Sequence, residues 1–495
     1  MFKKLLAKKT VTSLTKDAQV KRHTFARSLT ALNLVTIGIG AIIGAGLFVI
    51  TGQVAAEHTG PSIVFSFLIA GGISLFAALC YAEFAAMIPI SGSAYSYAYA
   101  TLGEFPAWIL GWGLTVQYML VACTVAVGWS SYFSSLLQDF SLCLPSIVAT
   151  APLLHSVELG WHLSGSWINL PAVLIVALMG GLISIGTKAA AGVNNVLVVV
   201  KLVVVALFIG CGFFFIKGEN LTPFIPKNTG VFGQMGFSGI LQGASVLFFA
   251  FTGFDALSTL TQETNDPQKD MPKGMIGSIT ICTSIYLVFS LVLVGLVKYD
   301  LLGVPDPIAV AIDILGDKFI WLRLFIKVAI LAGLTTVTVV MLLGLARIFY
   351  TMAHDGLLPK RICRINDKTH VPFFTTIVVT ILGMLIAGLF PVGILGQLVS
   401  IATLMAFSIV CIGILILHYT KPSLHRPFSV PFKPWLPLIG AIACLAQMFM
   451  LPWVTWKQFG TWLLIGCIIY FAYGIRKSHV QQRKSTYFFQ EEEVR

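Results

Sequence analysis

The chain has 495 residues, 57% hydrophobic and only 11% charged, with a mean hydropathy of +0.90. A soluble domain carries about 25% charged residues, so the composition excludes one and indicates a polytopic membrane protein. The net charge of +12 is spread by loop rather than gathered in one patch, so its pattern is topological and argues against a nucleic-acid partner.

In chain order, residues 1–30 form a basic segment with Lys3, Lys4, Lys8, Lys9, Lys16, Lys21, Arg22 and Arg27. Runs of about 20 apolar residues, enough to cross a bilayer, follow at roughly 31–55, 63–88, 106–135, 169–187, 194–216, 237–261, 275–297, 321–353, 373–390, 392–418, 434–453 and 459–475. The first is long and lacks a small-residue cleavage pattern, so it reads as a span and not as a signal peptide. Later basic residues, such as Lys188, Lys269, Lys273, Lys360, Arg361, Lys421 and Arg426, fall mainly in every second loop, whereas loops 56–62 and 136–168 contain no Lys or Arg. The positive-inside rule then expects both termini in the cytoplasm and an even number of spans near twelve. Residues 31–418 are expected to form a core of ten helices, 419–475 two further spans, and 476–495 a solvated tail. Trp161, His162 and Trp167 in the longest loop suit an outer interface belt. The nine cysteines show no CxxC or Cys/His spacing, so neither metal, cofactor nor disulfide framework is expected.

The first span contains TIGIGAIIGAGLFV, with Gly38, Gly40, Gly44 and Gly46 and with Gly52 close by. Glycine weakens a helix by about 1 kcal/mol relative to alanine, and irregular backbone at membrane depth survives only where protein or a cavity surrounds it. The sixth span holds a second interruption, FFAFTGFD, over residues 248–255. The leading spans of two groups of five are therefore both disrupted, the pattern of an inverted repeat that binds its solute where broken helices meet.

A broken helix leaves unpaired N–H groups at one free end and unpaired C=O groups at the other. A zwitterionic amino acid is the simplest solute matching both. Its carboxylate is expected on the N–H groups of Gly44, Ala45 and Gly46. Its ammonium is expected on the carbonyls around Ile42 and Ile43 and on those of Phe249, Ala250 and Thr252. Lys201 lies near the middle of the fifth span, in NNVLVVVKLVVVALFIG. A lysine there must be neutral, paired or facing a cavity, and one that alternates between buried and wet surroundings can carry a proton. Glu83 suits either a gate partner or a structural ion pair, Asp255 a cap for the second half of span six, and Gln117 either a cavity or an interhelical bond. Met341, Thr335, Thr336, Phe251 and Phe254 suit a neutral side chain or ordinary packing.

The first-span motif, the span-two run CYAEFAAMIPISGSAYSYAYATLGE, FFAFTGFDALST with DPQKDMPKG, and RIFYTMAHDGLLPK after span eight together resemble the amino acid-polyamine-organocation superfamily. More closely they resemble bacterial members of its cationic amino acid transporter branch, over about 25–475. The resemblance implies an all-α five-plus-five inverted repeat, alternating access, and backbone recognition by helices one and six. It also implies that Lys201 stands where sodium sits in sodium-driven relatives, with its amine near Gly38 or a neighbour. Met341 occupies a pocket position that is small in animal relatives carrying arginine and lysine. Ala45 replaces a threonine, and Gln117 stands where a relative can have an acid. A thioether offers no polar partner to a guanidinium, so small or medium neutral L-amino acids are expected. The expected activity is proton-coupled import across an inner membrane. An amino acid/amine exchanger and a cationic amino acid transporter remain open, as does the oligomeric state. The nine histidines are scattered among termini and loops, which argues against an enzyme.

Overall fold

The computed structural model describes residues 5–8, 29–88, 93–156, 160–185, 187–314, 320–364, 366 and 371–482. Among these residues the chain makes twelve apolar helical passes. Span 1 is Ala31–Ile42 continued by 46–59, and span 2 is Ile63–Met87. Spans 3 to 5 are Glu104–Asp139, Leu170–Ile185 and Thr187–Phe213. Span 6 is Gly236–Leu247 continued by two 3-10 stretches, Phe248–Phe251 and Phe254–Glu263, and span 7 is Pro267–Leu296. Spans 8 to 12 are Ile320–His354, Phe373–Leu389, Val392–Thr420, Trp435–Met450 and Trp453–Ile469. A two-stranded hairpin, Leu153–Ser156 paired with Gly160–Leu163, stands in the loop between spans 3 and 4, where Trp161 and Trp167 are exposed.

Close approaches give the direction of each pass. Gly38 packs on Ser278 and Gly274 on Leu34, while the Tyr286 hydroxyl reaches the Ile42 carbonyl, so span 1 runs parallel to span 7. Ser66 bonds the Ile240 carbonyl and Gly71 meets Phe251, so span 6 runs parallel to span 2. Phe67 packs at a tilt against Tyr286 and Gly71 meets Thr283, which makes spans 2 and 7 antiparallel. Exchanging span 1 for 6 and span 2 for 7 reproduces the same set of neighbours in reverse, as an inverted repeat requires. Spans 3 and 8 map onto each other in the same way, antiparallel through Gly111 with Met352 and Gly344 with Tyr118. Small residues permit these approaches between helices.

Both described chain ends lie at one face, called here the terminal face. The segments expected to be solvated are partly docked there. The Glu104 N–H donates to the Ala7 carbonyl at 3.0 Å, and Leu29 pairs with 263–265 across the end of span 6. The fully buried Glu104 carboxylate accepts from Tyr99 and Tyr470 at 2.8 and 2.9 Å and from Ser478, which holds the start of the tail against span 3. A buried carboxylate demands donors, and the tail supplies them.

Glu83, at the same face, forms the structural ion pair. Its carboxylate lies 2.7 Å from His418 Nε2 and accepts from Arg426 Nε at 3.1 Å and from the Val430 N–H at 2.7 Å. Removing one partner of a buried pair leaves an uncompensated charge, so Arg426→Met is expected to cost about 3 kcal/mol. Thermal unfolding in detergent should register this as a lower midpoint. Adding Glu83→Gln to the Arg426→Met chain should recover part of the loss, because the stranded charge goes with it.

Candidate functional site

The first half of span 1 ends at Ile42, and Ile43 takes an extended conformation, φ −72° and ψ 103°. The Ile43 N–H still donates to the Ile39 carbonyl, and helical bonding resumes when the N–H groups of Leu47 and Phe48 both reach the Gly44 carbonyl. The N–H groups of Gly44, Ala45 and Gly46 fall between these two patterns, and among the described residues none has a backbone partner. They are the orphan donors of a helix start, and the dipole there favours an anion.

In span 6 the break comes at Thr252, extended with φ −65° and ψ 137°, and at Gly253, whose φ of +116° is a conformation that favours glycine. The Asp255 carboxylate closes the turn, accepting from the Gly253 N–H and from the Tyr118 hydroxyl, each at 3.1 Å. The second half of span 6 continues as 3-10 and not as α-helix. Phe249 N–H and the Val246 carbonyl are both tied to the Ser400 hydroxyl, which fastens the first half to span 10.

The two breaks face each other. A Cβ on Gly46 would lie 2.3 Å from Ala250 Cα, one on Gly253 would lie 2.7 Å from the Ala41 carbonyl oxygen, and one on Gly38 would lie 2.9 Å from Leu257. The order of these contacts makes spans 1 and 6 antiparallel, so the free N–H end of span 1 meets the free carbonyl region of span 6. Tyr286 of span 7 bridges them, its hydroxyl 2.9 Å from the Ile42 carbonyl and 2.9 Å from that of Ala250. The Phe249 carbonyl accepts from the Thr252 N–H at 3.1 Å. Of the carbonyls expected to receive an ammonium, those of Ile42, Phe249 and Ala250 thus already have a partner, as does that of Ile43 in Lys201, although each carbonyl oxygen keeps a second lone pair. Nothing in the sequence singled out Tyr286, a tyrosine within an ordinary apolar span.

Lys201 is 1% exposed, and its ammonium donates to the carbonyls of Gly40 at 3.0 Å and Ile43 at 3.2 Å. Those oxygens belong to the frayed end of the first half of span 1, where the helix supplies no donors of its own. Of the expected positions, Gly38 or a neighbour, the amine takes neighbours: Gly38 itself packs on Ser278 and Leu257, and the lysine reaches the break. The stem of Lys201 lies against Gly333, where a Cβ would meet the lysine Cε at 2.9 Å. Gly333 of span 8 is a further residue that sequence reading missed. Spans 1, 5 and 8 meet at this one amine.

Above the carboxylate position, Val337 of span 8 approaches the site of a Gly44 Cβ at 3.1 Å, and Met341, one turn further along, is fully buried. Gln117 is also fully buried, and among the described residues neither its Oε1 nor its Nε2 has a partner. Its neighbour Tyr118 bonds Asp255, which puts Gln117 near the depth of the span 6 break and towards the terminal face. Thr335 and Thr336 bond carbonyls of their own helix, Leu331 and Gly333. Phe251 packs edge-on to Tyr286, and Phe254 packs between Tyr81 and Phe407. Among the described residues no group of His, Cys, Asp or Glu is arranged to hold a metal.

The amino acid permease family model matches residues 29–473. The chain belongs to that family. Over 94% of its length and 97% of the relative's, the permease is 40% identical to a methylthioribose transporter of Bacillus subtilis. It is 39% identical to a branched-chain amino acid permease of the same organism, over 92% of this chain and 95% of the relative. A vacuolar cationic amino acid transporter of Arabidopsis thaliana is 34% identical over 81% of this chain and 64% of the relative. The permease is thus an all-α multi-pass membrane transporter for amino acids and not an enzyme.

Proposed function

We propose that the permease imports small or medium neutral L-amino acids together with protons across the cell membrane, with its terminal face in the cytoplasm. One observation carries the reading: at the crossing of the two broken spans, unpaired N–H groups at 44–46 adjoin carbonyls of residues 42 and 250. The α-carboxylate would take those N–H groups, and the α-ammonium would compete with the Tyr286 hydroxyl for the carbonyls. Backbone groups recognise what all amino acids share, so the side chain is chosen by Met341, Gln117 and the aromatic neighbours of span 6. Gln117 offers an amide and no charge, and the Asp255 carboxylate is occupied by Tyr118 and Gly253. That set favours an uncharged side chain. The names of the two Bacillus relatives, one for a branched-chain amino acid and one for methylthioribose, agree with a neutral solute. The basic loops on the terminal face support its cytoplasmic placement.

A ligand that binds only the folded protein raises its apparent stability by mass action. Thermal unfolding should therefore be followed with alanine, valine, leucine, methionine, arginine, lysine and methylthioribose, each at saturating concentration. A rise of the midpoint by a few degrees with neutral amino acids, and none with the other three, is expected. Stabilisation by arginine or lysine alone would overturn the neutral reading. Stabilisation by methylthioribose alone would remove the carboxylate and ammonium sites from recognition.

A further inference from the structure

At the face opposite the termini, span 7 ends at Leu296 and the chain returns to span 8 through a 3-10 turn, Tyr299–Leu302, and a short helix, Pro307–Asp313. These elements lie on the second half of span 1. A Cβ on Gly52 would be 2.4 Å from Pro307 Cβ and 2.6 Å from the Leu302 carbonyl oxygen, and one on Gly303 would be 3.4 Å from Ala56 Cβ. The fully buried Tyr132 of span 3 joins the same parts, since its hydroxyl donates to the Phe48 carbonyl at 2.6 Å and accepts from the Ile308 N–H at 3.4 Å.

A charged group surrounds this junction. Lys327 of span 8 donates to Asp139 of span 3 at 2.8 Å and lies 3.8 Å from Asp313, while Arg323 pairs with Asp139 and lies 3.2 Å from Asp313. Among the described residues, two cations and two carboxylates therefore pair without Asp306, the residue that precedes the helix. Asp306 is the third carboxylate of the group. It is half-buried, with Lys327, Asp313 and the Ser135 hydroxyl of span 3 near enough to shift its titration, and Tyr132 lies one helical turn from Ser135. An acid left out of those pairs, removed from water by a helix that closes on span 1, has a reason to hold a proton.

We propose that Asp306 is a proton-binding site separate from Lys201, filled from the adjacent solution when the Pro307–Asp313 helix closes on span 1. The proposal rests on the alternating-access reading above, since it requires that this face also open. Asp306 lies outside the spans, and burial pushes its carboxyl up to about 6, Asp313 adding to the rise and Lys327 opposing it. In the open state the carboxyl is in water, where an aspartate titrates near about 3.9. The closed state then binds the proton more tightly, so closure strengthens as pH falls from about 6 to about 4 and gains nothing further below that. Above pH 6 the full cost of burying the anion opposes closure. A solute that binds during closure would thereby draw in a proton from its own side of the membrane.

Closure can be read without transport. The 3.4 Å approach of Gly303 to Ala56 Cβ suits a disulfide, whose Cβ atoms lie about 3.8 Å apart. The full chain would carry Ala56→Cys and Gly303→Cys, with the exposed Cys143 changed to serine, and be oxidised in detergent from pH 4 to pH 7.5. The same triple variant with Asp306→Asn added corrects for the pH dependence of thiol chemistry. Relative to that control, the crosslinking rate of the aspartate form should rise about thirtyfold as pH falls through the 6 to 4 window. Identical profiles with aspartate and asparagine would overturn the proposal, as would crosslinking that strengthens towards alkaline pH in the aspartate form alone. No substrate, gradient or Lys201 variant enters the measurement, so a failure of coupling through Lys201 would leave this result standing, and the reverse holds.

Discussion

Replacing Lys201 by alanine is expected to abolish proton-driven accumulation while leaving exchange of substrate across the membrane. The ammonium is the donor that the protein supplies to the Gly40 and Ile43 carbonyls, and it ties span 5, through span 1, to the break where substrate is proposed to bind. A protonated amine at that point adds a full charge to the negative end of the half-helix dipole, whereas the neutral amine keeps only weak hydrogen bonds. On the proposed coupling, the proton favours the arrangement in which spans 1 and 5 are held together over one in which that contact is broken. In proteoliposomes with an imposed proton gradient, accumulation by the Lys201→Ala chain should fall at least roughly tenfold, to the level seen without a gradient; a 1.4 kcal/mol bias is already a factor of ten. Counterflow into preloaded vesicles should persist. Gradient-driven accumulation at the unmodified level in this variant would take the lysine out of the mechanism.

Gly46→Ala should be strongly damaging to transport. The new Cβ would sit 2.3 Å from Ala250 Cα and 2.5 Å from Ala250 Cβ, and a backbone atom cannot rotate out of the way. Spans 1 and 6 would have to separate at the point where the Tyr286 hydroxyl bridges them. Overpacking of this kind costs about 3 kcal/mol, so transport should fall roughly a hundredfold if the closed crossing is the state penalised. Gly72→Ala is the matching control, because a Cβ there meets nothing within 4 Å. Initial uptake rates at equal amounts of purified protein check both. Uptake by the Gly46→Ala chain within twofold of the control would mean that the tight crossing is not part of the cycle.

These two residues differ in how far the sequence exposes them. Gly46 is visible because glycines inside an apolar run are a local anomaly, and Lys201 because a lysine at membrane depth is another. Each can be read from its own twenty-residue neighbourhood. The partner of Lys201 could not be read in that way. Gly38, Gly40 and Ile43 lie within two turns of one another, and the choice among their carbonyls depends on how deeply span 5 sits beside span 1. Tyr286 and Gly333 carry no local signal at all: a tyrosine or a glycine in an apolar span is ordinary until another helix arrives opposite it. The docked tail is a similar case. Ser478 and Tyr470 acquire meaning only once the Glu104 carboxylate, more than 350 residues earlier, lies beside them.

The sequence alone determined that the chain crosses a membrane about twelve times, that its first and sixth spans are broken, and that an amine lies near the middle of the fifth. Hydropathy, helix propensity and the cost of a buried charge all act over distances shorter than one span, which is why a linear reading captures them. Only the tertiary structure decided which carbonyl faces which donor, that Tyr286 bridges the two breaks, and that a third carboxylate stands over the opposite face. Those pairings depend on the antiparallel crossing of spans 1 and 6 and on the depth of each helix against its neighbours. That register is set by the packing of all the spans together, and no single segment contains it.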